Sequence, residues 1–301
     1  MKTEAAAAID LPRDLAEPGL LTDLMTLTKA RLSLLVIVTT FVGFCMASGA
    51  SLDWLKLFHA ILGTTLAAAS AAVLNQRIET KVDRLMERTR HRPLPAGRMK
   101  PSTALALGVA LGVIGVGWLW RTTNPLAASL AAATIVIYIA FYTPLKRRTS
   151  LCTIVGAVSG AIPPVIGWTA VQPSLDLGAW VLFGILFTWQ MPHFLAIAWM
   201  YRDEYAQAGF VMIRRDDLTG SATATQSLLY TLALLVITAI PYFAGLSSPL
   251  YLVLGLLLDA VILICALRFL FERSCATART LFLASIFFLP LILGLMIFTK
   301  S

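Results

Sequence analysis

The sequence predicts an all-α polytopic membrane protein with nine transmembrane helices. Hydrophobic residues make up 58% of its 301 residues and charged residues only 13%, whereas roughly 25% of the residues in an ordinary soluble domain are charged. The mean hydropathy is +0.80. Because a soluble enzyme of this length needs a more highly charged surface, we expect much of the apolar surface to face lipid.

Nine apolar stretches justify the number of helices, since a hydrocarbon core about 30 Å thick takes roughly 20 residues of helix to cross. In chain order they are Leu32–Ala50, Leu57–Asn75, Thr103–Trp120, Pro125–Tyr142, Cys152–Val171, Gly178–Met200, Ser227–Gly245, Leu250–Phe269 and Thr280–Phe298. The second is the least hydrophobic, and its Ala and Ser residues suit close packing between helices. We therefore expect a single transmembrane domain over residues 32–299, preceded by a cytoplasmic tail, residues 1–31.

The basic residues indicate how these helices are oriented. With a cytoplasmic N-terminus, all but three of the 24 Lys and Arg residues fall in cytoplasmic segments, the exceptions being Lys56, Arg121 and Lys300. Such an asymmetry is typical of the positive-inside rule. The net charge of +8 is thus interpreted as orientation, with no nucleic-acid partner, and two long cytoplasmic loops are expected at about residues 76–101 and 201–226.

An oxygen-rich stripe continues the second span. Asn75, Glu79 and Asp83 are spaced by four residues, and each step advances only about 40° around an α-helix, so the three side chains share one face. Stacked carboxylates repel each other, but Mg²⁺ binds one or two carboxylates while keeping positions for phosphate oxygens. The alternative is a helix end whose acids pair with neighbouring cations of the same segment: Arg77, Lys81 or Arg84.

Cations that could bind a diphosphate follow this stripe and recur after the fourth and sixth spans. Guanidinium groups bind phosphate oxygens bidentately, so arginines beside a metal-binding stripe suit metal-bridged phosphate chemistry. Topology alone accounts for some of them. The candidate diphosphate ligands are Arg84, Arg88, Arg92, Lys146, Arg147 and Arg202.

The fifth span contains two adjacent prolines, Pro163 and Pro164. Proline removes a helical hydrogen bond and clashes with the preceding turn, so we expect the helix to break or bend there. In a bilayer such a feature is tolerated where protein covers the freed backbone or where it lines a cavity. The sequence therefore leaves two interpretations of this segment, a kink that serves helix packing and the wall of a substrate cavity.

Polar residues inside and just after the sixth span are functional candidates, because such groups are costly at membrane depth. Gln190 and His193 lie within the apolar run. His193 could bind a metal, donate to a substrate carboxylate or bond a neighbouring helix. Asp203 and Glu204 follow the span at the depth and side of Asp83, and two facing acidic sites would hold two or more Mg²⁺ ions around one diphosphate.

Five segments spread over nearly the whole chain carry a family resemblance: LTKARLSLLVIVTTFVG, DRLMERTRHRPLPAGR, YTPLKRRT, GAVSGAIPPVIGW and WQMPHFLAIAWMYRDEYAQAGF. They resemble the UbiA-type intramembrane prenyltransferases and, within them, the branch that acts on heme. The resemblance implies a UbiA-type bundle of nine helices. It also implies Mg²⁺-dependent transfer of a farnesyl group from farnesyl diphosphate to a vinyl group of protoheme IX (heme b), giving heme o and diphosphate.

The resemblance also implies roles for particular residues, a location in the cell and partner proteins. It implies catalytic roles for Asn75, Glu79, Asp83, Asp203 and Glu204, with Mg²⁺ bound by all of these except Asp203. A pocket for heme or the farnesyl cation is expected at His193, Tyr142, Trp189 and Gln190, with Tyr138 and Trp199 as further aromatic faces. It also implies the lipid bilayer of a bacterial inner membrane as the location, and heme a synthase or a terminal-oxidase assembly factor as a partner.

Two departures from the family pattern leave alternatives open. Glu79 stands where the superfamily has Asp, and the second site lacks a second acid four residues on, because Gln207 and Ala208 occupy those positions. The choice between Asp203 and Glu204 is therefore open. The identity of the acceptor is open as well, since the alternative is a related enzyme that prenylates an aromatic or quinone-precursor acceptor. A transporter is less favoured, because the polar residues gather at one face rather than at the midplane.

Overall fold

Helices make up most of residues 18–301, the part of the chain that the computed structural model describes. The greater part of the expected tail, residues 1–17, lies outside the described residues. The helices are α1 (Leu20–Leu27), α2 (Ala30–Ala47), α3 (Trp54–Asp83), α4 (Pro101–Thr122), α5 (Pro125–Leu145), α6 (Cys152–Val171), α7 (Leu177–Met200), α8 (Arg202–Gln207), α9 (Ser221–Phe243), α10 (Pro249–Glu272) and α11 (Cys275–Phe298).

The number of spans agrees with the all-α prediction. Within residues 18–301, eight helices are long and apolar enough to cross a membrane, and α1 with α2, bent by 54°, provides a ninth if the pair is counted as one span. The largest difference from the predicted bounds is at the second span. The predicted loop 76–101 begins later, because α3 runs on through Asp83.

The bend between α1 and α2 occurs at Lys29, which has a φ of 52° in the left-handed region. This conformation is costly for a residue with a side chain and persists where neighbours hold it. Gln76 of α3 donates from Nε2 to the carbonyl oxygens of Thr26 and Leu27, at 2.9 and 2.8 Å. The last turn of α1 is thereby fastened to α3, and the Lys29 side chain points toward the same helix.

Small residues let α3 and α4 pack closely, as the composition of the second span predicts. Ser70 Oγ donates to the Gly108 carbonyl oxygen at 2.7 Å. A Cβ atom added at Gly115 would lie 2.8 Å from Ala67 N, so a larger residue there would push the two backbones apart. Close backbone approach is the main means of helix association where lipid supplies no hydrophobic driving force.

Of the two expectations for Pro163 and Pro164, a break or a bend, the break is excluded, since α6 runs without interruption from Cys152 to Val171 with both prolines inside it. The helix is instead enclosed on the Pro164 side by α2. Gly43 of α2 lies directly against the Pro164 carbonyl, where a Cβ atom would collide with it, while Pro163 lines a cavity. Both of the functions considered for this segment, packing and cavity lining, are therefore present together.

The loops after α3 and α7 meet at one end of the bundle. Val82 and Met86 form a buried apolar cluster with Tyr205, Ala208 and Phe210. The three cations expected on the opposite side lie at helix ends away from this cluster: Lys56, Arg121 and Lys300. Lys300 Nζ donates to the carbonyl oxygens of Cys45, at 2.8 Å, and Ser48, next to the end of α2, where carbonyls lack helical partners.

Candidate functional site

A cavity of about 540 Å³ extends between α2, α3, α5, α6 and α7 toward the end where the two loops meet. Its middle is walled by small and apolar residues of these helices. Charged residues line one end, and Trp189, Gln190 and His193 of α7 line another part of the wall. Ligand sites commonly combine such an apolar wall with a few convergent polar groups.

Glu79 and Asp83 line the charged end, and each is paired with a cation. Lys146 Nζ lies 2.8 Å from Glu79 Oε1, and Arg92 NH1 lies 2.8 Å from Asp83 Oδ2. The exposed fractions of Glu79 and Asp83 are 6% and 2%, so the pairs are largely shielded from water. The alternative in which neighbouring cations of the same helix neutralise the acids is wrong, because the partners come from the end of α5 and the loop after α3.

Asn75 completes the stripe but is fully buried behind the cavity wall. Its Nδ2 donates to Thr143 Oγ1 at 3.1 Å, and its Oδ1 accepts from Lys29 Nζ at 3.1 Å. Lys29 itself lines the cavity and lies 3.5 Å from the Tyr138 hydroxyl. Sequence reasoning counted Lys29 only as a topological cation; its place in the segment LTKAR, one of those that carry the resemblance, was the available signal.

Two tyrosines of α5 stand beside these cations. Ile137–Tyr142 forms a π-helical stretch, a local widening that is frequent at functional sites. The rings of Tyr138 and Tyr142 lie 4.9 Å apart between centroids, and Lys146 Nζ lies 4.6 Å from the Tyr142 centroid. Burial acts to lower the pKa of Lys146, but Tyr142 and Glu79 outweigh burial and raise it, so the ammonium group stays charged.

The two acids after the sixth span point in different directions. Glu204 Oε1 accepts a hydrogen bond from the backbone N–H of Arg88, at 3.4 Å, and so lies beside the loop after α3. The Asp203 side chain is 82% exposed, with Arg202 at 3.8 Å. Neither acid lines the cavity, and Glu204 is the one of the two that contacts the loop carrying Arg88 and Arg92.

Three of the candidate diphosphate ligands line the cavity: Arg88, Arg92 and Lys146. Arg88 also donates to the Tyr205 hydroxyl at 3.2 Å, and its guanidinium carbon lies 5.9 Å from that ring. This contact ties the loop after α3 to α8. Arg88 therefore connects the cavity to the neighbourhood of Glu204.

The other three candidates do not line the cavity. Arg84 donates from Nε to the Pro95 carbonyl oxygen at 3.1 Å and braces its own loop. Arg147 is exposed. Arg202 lies 4.5 Å from the Trp199 ring centroid, and Trp199, expected as a face for the cation, is likewise absent from the cavity wall.

The aromatic part of the wall is organised around His193. Its ring centroid lies 5.2 Å from that of Trp189 and 4.9 Å from that of Phe282, and Nδ1 lies 2.7 Å from Ser285 Oγ. Gln190 Nε2 donates to its own helix at Leu186, 3.0 Å away. Its Oε1 abuts Gly160, where a Cβ atom would collide with it. Gln190 thus joins α7 to α6, and His193 is the more accessible polar group.

The charged end offers donors that suit Mg²⁺ without forming a closed cage. Within residues 18–301, no group of three or more His, Cys, Asp and Glu side chains converges as a metal site. Glu79 and Asp83 nevertheless present buried carboxylates to the cavity with the Asn75 amide on the same face. Mg²⁺ needs only one or two carboxylates when phosphate and water complete its shell, so the donor set fits an ion that arrives with a diphosphate.

Comparison with known proteins places the chain among prenyltransferases. Residues 36–292 match the UbiA prenyltransferase family. The chain is 42% identical over 287 residues to the protoheme IX farnesyltransferase of Solibacter usitatus, covering 92% of this chain and 98% of the relative.

Solved structures share the fold at low sequence identity. A digeranylgeranylglyceryl phosphate synthase superposes with a TM-score of 0.79 at 16% identity, covering 93% of this chain and 98% of that one. A UbiA homologue from Archaeoglobus fulgidus, bound to GPP and Mg²⁺, superposes with a TM-score of 0.65 at 12% identity, covering 91% and 99%.

Proposed function

The chain belongs to the UbiA prenyltransferase family, and from this membership we propose that it transfers the farnesyl group of farnesyl diphosphate to a vinyl group of heme b. The products are heme o and diphosphate. The protein to which it is 42% identical over 287 residues is a protoheme IX farnesyltransferase. The observation that carries the proposal is one cavity that joins the charged end at Glu79 and Asp83 to the aromatic wall at His193.

The two substrates match the two parts of this cavity. A diphosphate head requires cations and a metal-binding stripe, whereas a farnesyl chain and a porphyrin require an apolar space that is closed to water. Arg88, Arg92 and Lys146 would bind the diphosphate oxygens bidentately or as point charges. His193 and Trp189, on the wall formed by α7, would contact the porphyrin.

Mg²⁺ would be held by Glu79 and Asp83, which line the cavity, and when bound it supplies charge neutralisation to the diphosphate. Asn75 and Glu204 would join them only after Asn75 Oδ1 releases Lys29 and Glu204 releases the Arg88 N–H, since neither residue lines the cavity here. The Archaeoglobus fulgidus homologue, which shares the fold, is bound to GPP and Mg²⁺. The same acids are paired with Lys146 and Arg92. Those two cations would move from the carboxylates to the phosphate oxygens when a metal takes their place.

The chain's own groups then stabilise the charges that develop. The bond between C1 of the farnesyl group and the diphosphate oxygen breaks, and its electron pair leaves with the diphosphate toward Lys29, Arg92 and Lys146. The faces of Tyr138 and Tyr142 stabilise the allylic cation without attacking it. The vinyl π electrons of heme form the new carbon–carbon bond, and water adds to the resulting cation and loses a proton.

The same proposal covers the membrane location of the protein, its domain and its partner. We place the protein in a bacterial inner membrane with the N-terminus and both loops cytoplasmic, as the segregation of Lys56, Arg121 and Lys300 favours. The single domain over residues 32–299 would carry the site except for Lys29, which precedes it and lines the same cavity. Because heme o keeps an apolar farnesyl chain, it would pass through the bilayer to a membrane partner such as heme a synthase or an oxidase-assembly factor.

The test is a reconstitution of the full chain in lipid nanodiscs with heme b, farnesyl diphosphate and Mg²⁺, followed by mass spectrometry. The expected product is heavier than heme b by one farnesyl group and one hydroxyl group, and EDTA abolishes its formation. A parallel assay supplies 4-hydroxybenzoate as an aromatic acceptor. Prenylation of that acceptor without any heme product would overturn the heme assignment while keeping the prenyltransferase activity.

A further inference from the structure

Ser285 of α11 holds two side chains of α7 in place. It is fully buried, its Oγ lies 2.7 Å from His193 Nδ1, and its carbonyl oxygen accepts a hydrogen bond of 2.8 Å from Trp189 Nε1. Both α7 residues line the cavity. Ser285, a residue of the last helix, therefore determines how the side chains of Trp189 and His193 are oriented in this wall of the cavity.

The hydrogen bonds of Ser285 fix which nitrogen of His193 carries the proton. Ser285 Oγ also lies 2.6 Å from the carbonyl oxygen of Phe282. A carbonyl oxygen only accepts, so it takes the single hydroxyl hydrogen and leaves Oγ with lone pairs alone for the imidazole. Nδ1 must then be the N–H donor, which leaves Nε2 of a neutral ring with a free lone pair.

The lone pair of His193 Nε2 is available to a ligand. The imidazole lines the cavity, and among residues 18–301 no group is hydrogen-bonded to Nε2. The ring is confined by Trp189, whose plane is inclined by 26°, and by Phe282, inclined by 35°. A bond at Nδ1 and two ring contacts thus hold the imidazole in one orientation.

We propose that Ser285 is a positioning residue that holds His193 as the Nδ1–H tautomer so that Nε2 binds the iron of a porphyrin in this cavity. The inference rests on the proposed function, in which heme b is the acceptor. A metal-binding histidine almost always donates its other ring N–H to a fixed acceptor, and neutral imidazole is a common ligand of heme iron. Iron binding at this point would set the distance of the porphyrin from the charged end.

The test compares two porphyrins that differ only in the metal. The full chain in nanodiscs, without farnesyl diphosphate, is titrated with heme b and with metal-free protoporphyrin IX. Ser285→Ala is expected to weaken heme affinity by about 10- to 100-fold and to shift the Soret band, with the affinity for protoporphyrin IX unchanged. His193→Ala should remove the histidine-ligated spectrum. Ser285→Cys should give a smaller loss than Ser285→Ala, because a thiol is a weak acceptor.

A matched control is Ser227→Ala in α9. Ser227 is also fully buried in a helix, and its Oγ donates to the Thr223 carbonyl oxygen at 3.0 Å, but it does not line the cavity. It should change the affinity for neither porphyrin. If Ser285→Ala does not fold, as judged by the loss of its melting transition, Ser285→Cys is compared in the same way.

Three results would overturn the inference. Equal losses for heme b and protoporphyrin IX would show that Ser285 serves packing alone. An unchanged heme spectrum in Ser285→Ala, or in Ser285→Cys where only that variant folds, would remove its positioning role. A wild-type protein that binds no heme through His193 would contradict the ligand itself. Because farnesyl diphosphate is absent, a protein that binds heme through His193 yet makes no farnesylated heme contradicts only the proposed function.

Discussion

Lys146 Nζ contacts both carboxylate oxygens of Glu79, at 2.8 and 3.1 Å, although the two residues are 67 positions apart in the chain. The pair joins the end of α5 to the middle of the oxygen-rich stripe on α3. Their side chains are 12% and 7% exposed, so neither charge has much water to stabilise it. The cation neutralises Glu79 and is placed to bind an incoming anion.

Breaking this pair should cost both stability and activity. Lys146→Met leaves Glu79 buried without a partner, a change that costs about 3 kcal/mol in comparable pairs. We expect a lower melting temperature in detergent and a kcat/KM for farnesyl diphosphate reduced by about 100-fold. The double variant Lys146→Met with Glu79→Gln should recover most of the stability and none of the activity. Recovery of both would show that the pair is only structural.

Asp83 should be indispensable while Asp203 should not. Asp83→Asn keeps the shape of a side chain that lines the cavity but removes its charge, so turnover should fall by at least about 100-fold with normal folding. Glu204→Gln should reduce turnover and raise the Mg²⁺ concentration required. Asp203→Asn is the matched control, because its side chain is 82% exposed. A loss in Asp203→Asn equal to that in Glu204→Gln would contradict the placement of the second acid.

Lys29 is expected to contribute to diphosphate binding although sequence reasoning passed over it. Its ammonium group lines the cavity within 3.1 Å of Asn75 Oδ1. Lys29→Met should raise the KM for farnesyl diphosphate by about 10-fold, in line with one charged hydrogen bond. Lys56→Met, at the opposite end of the bundle, serves as the control in the same kinetic assay. Equal KM values for both variants and wild type would exclude the role.

Gly43 should be intolerant of any side chain. A Cβ atom there would collide with the Pro164 carbonyl, whereas a Cβ atom at Gly117 of α4 would meet nothing within 4 Å. Gly43→Ala should therefore lower the melting temperature, because α2 and α6 must separate. Gly117→Ala should be neutral or stabilising by up to about 1 kcal/mol, since alanine is the better helix former. Thermal melts of both variants in one detergent make the comparison.

Much of the architecture could be predicted from the sequence, because the helices depend on local properties of the chain. Scarce charge and apolar stretches of membrane-spanning length predict the helices, and the bounds of α6 and the end of α7 agree with the prediction. The shared face of Asn75, Glu79 and Asp83 follows from the geometry of a single helix. The family resemblance added the chemistry. The sequence left open whether Pro163 and Pro164 break α6 or only bend it, and the structure excludes a break.

Helix packing determines which groups meet. Lys146 reaches Glu79, Lys29 reaches Asn75 over 46 residues, and Ser285 reaches His193 over 92. The contact of Glu204 with the Arg88 N–H likewise depends on how the short helix α8 lies against the loop after α3. The class of protein and the acidic stripe could be predicted without the structure, since periodicity and composition act along the chain. The partners of the acids and of His193 depend on helix packing, which brings distant segments together and which no local pattern encodes.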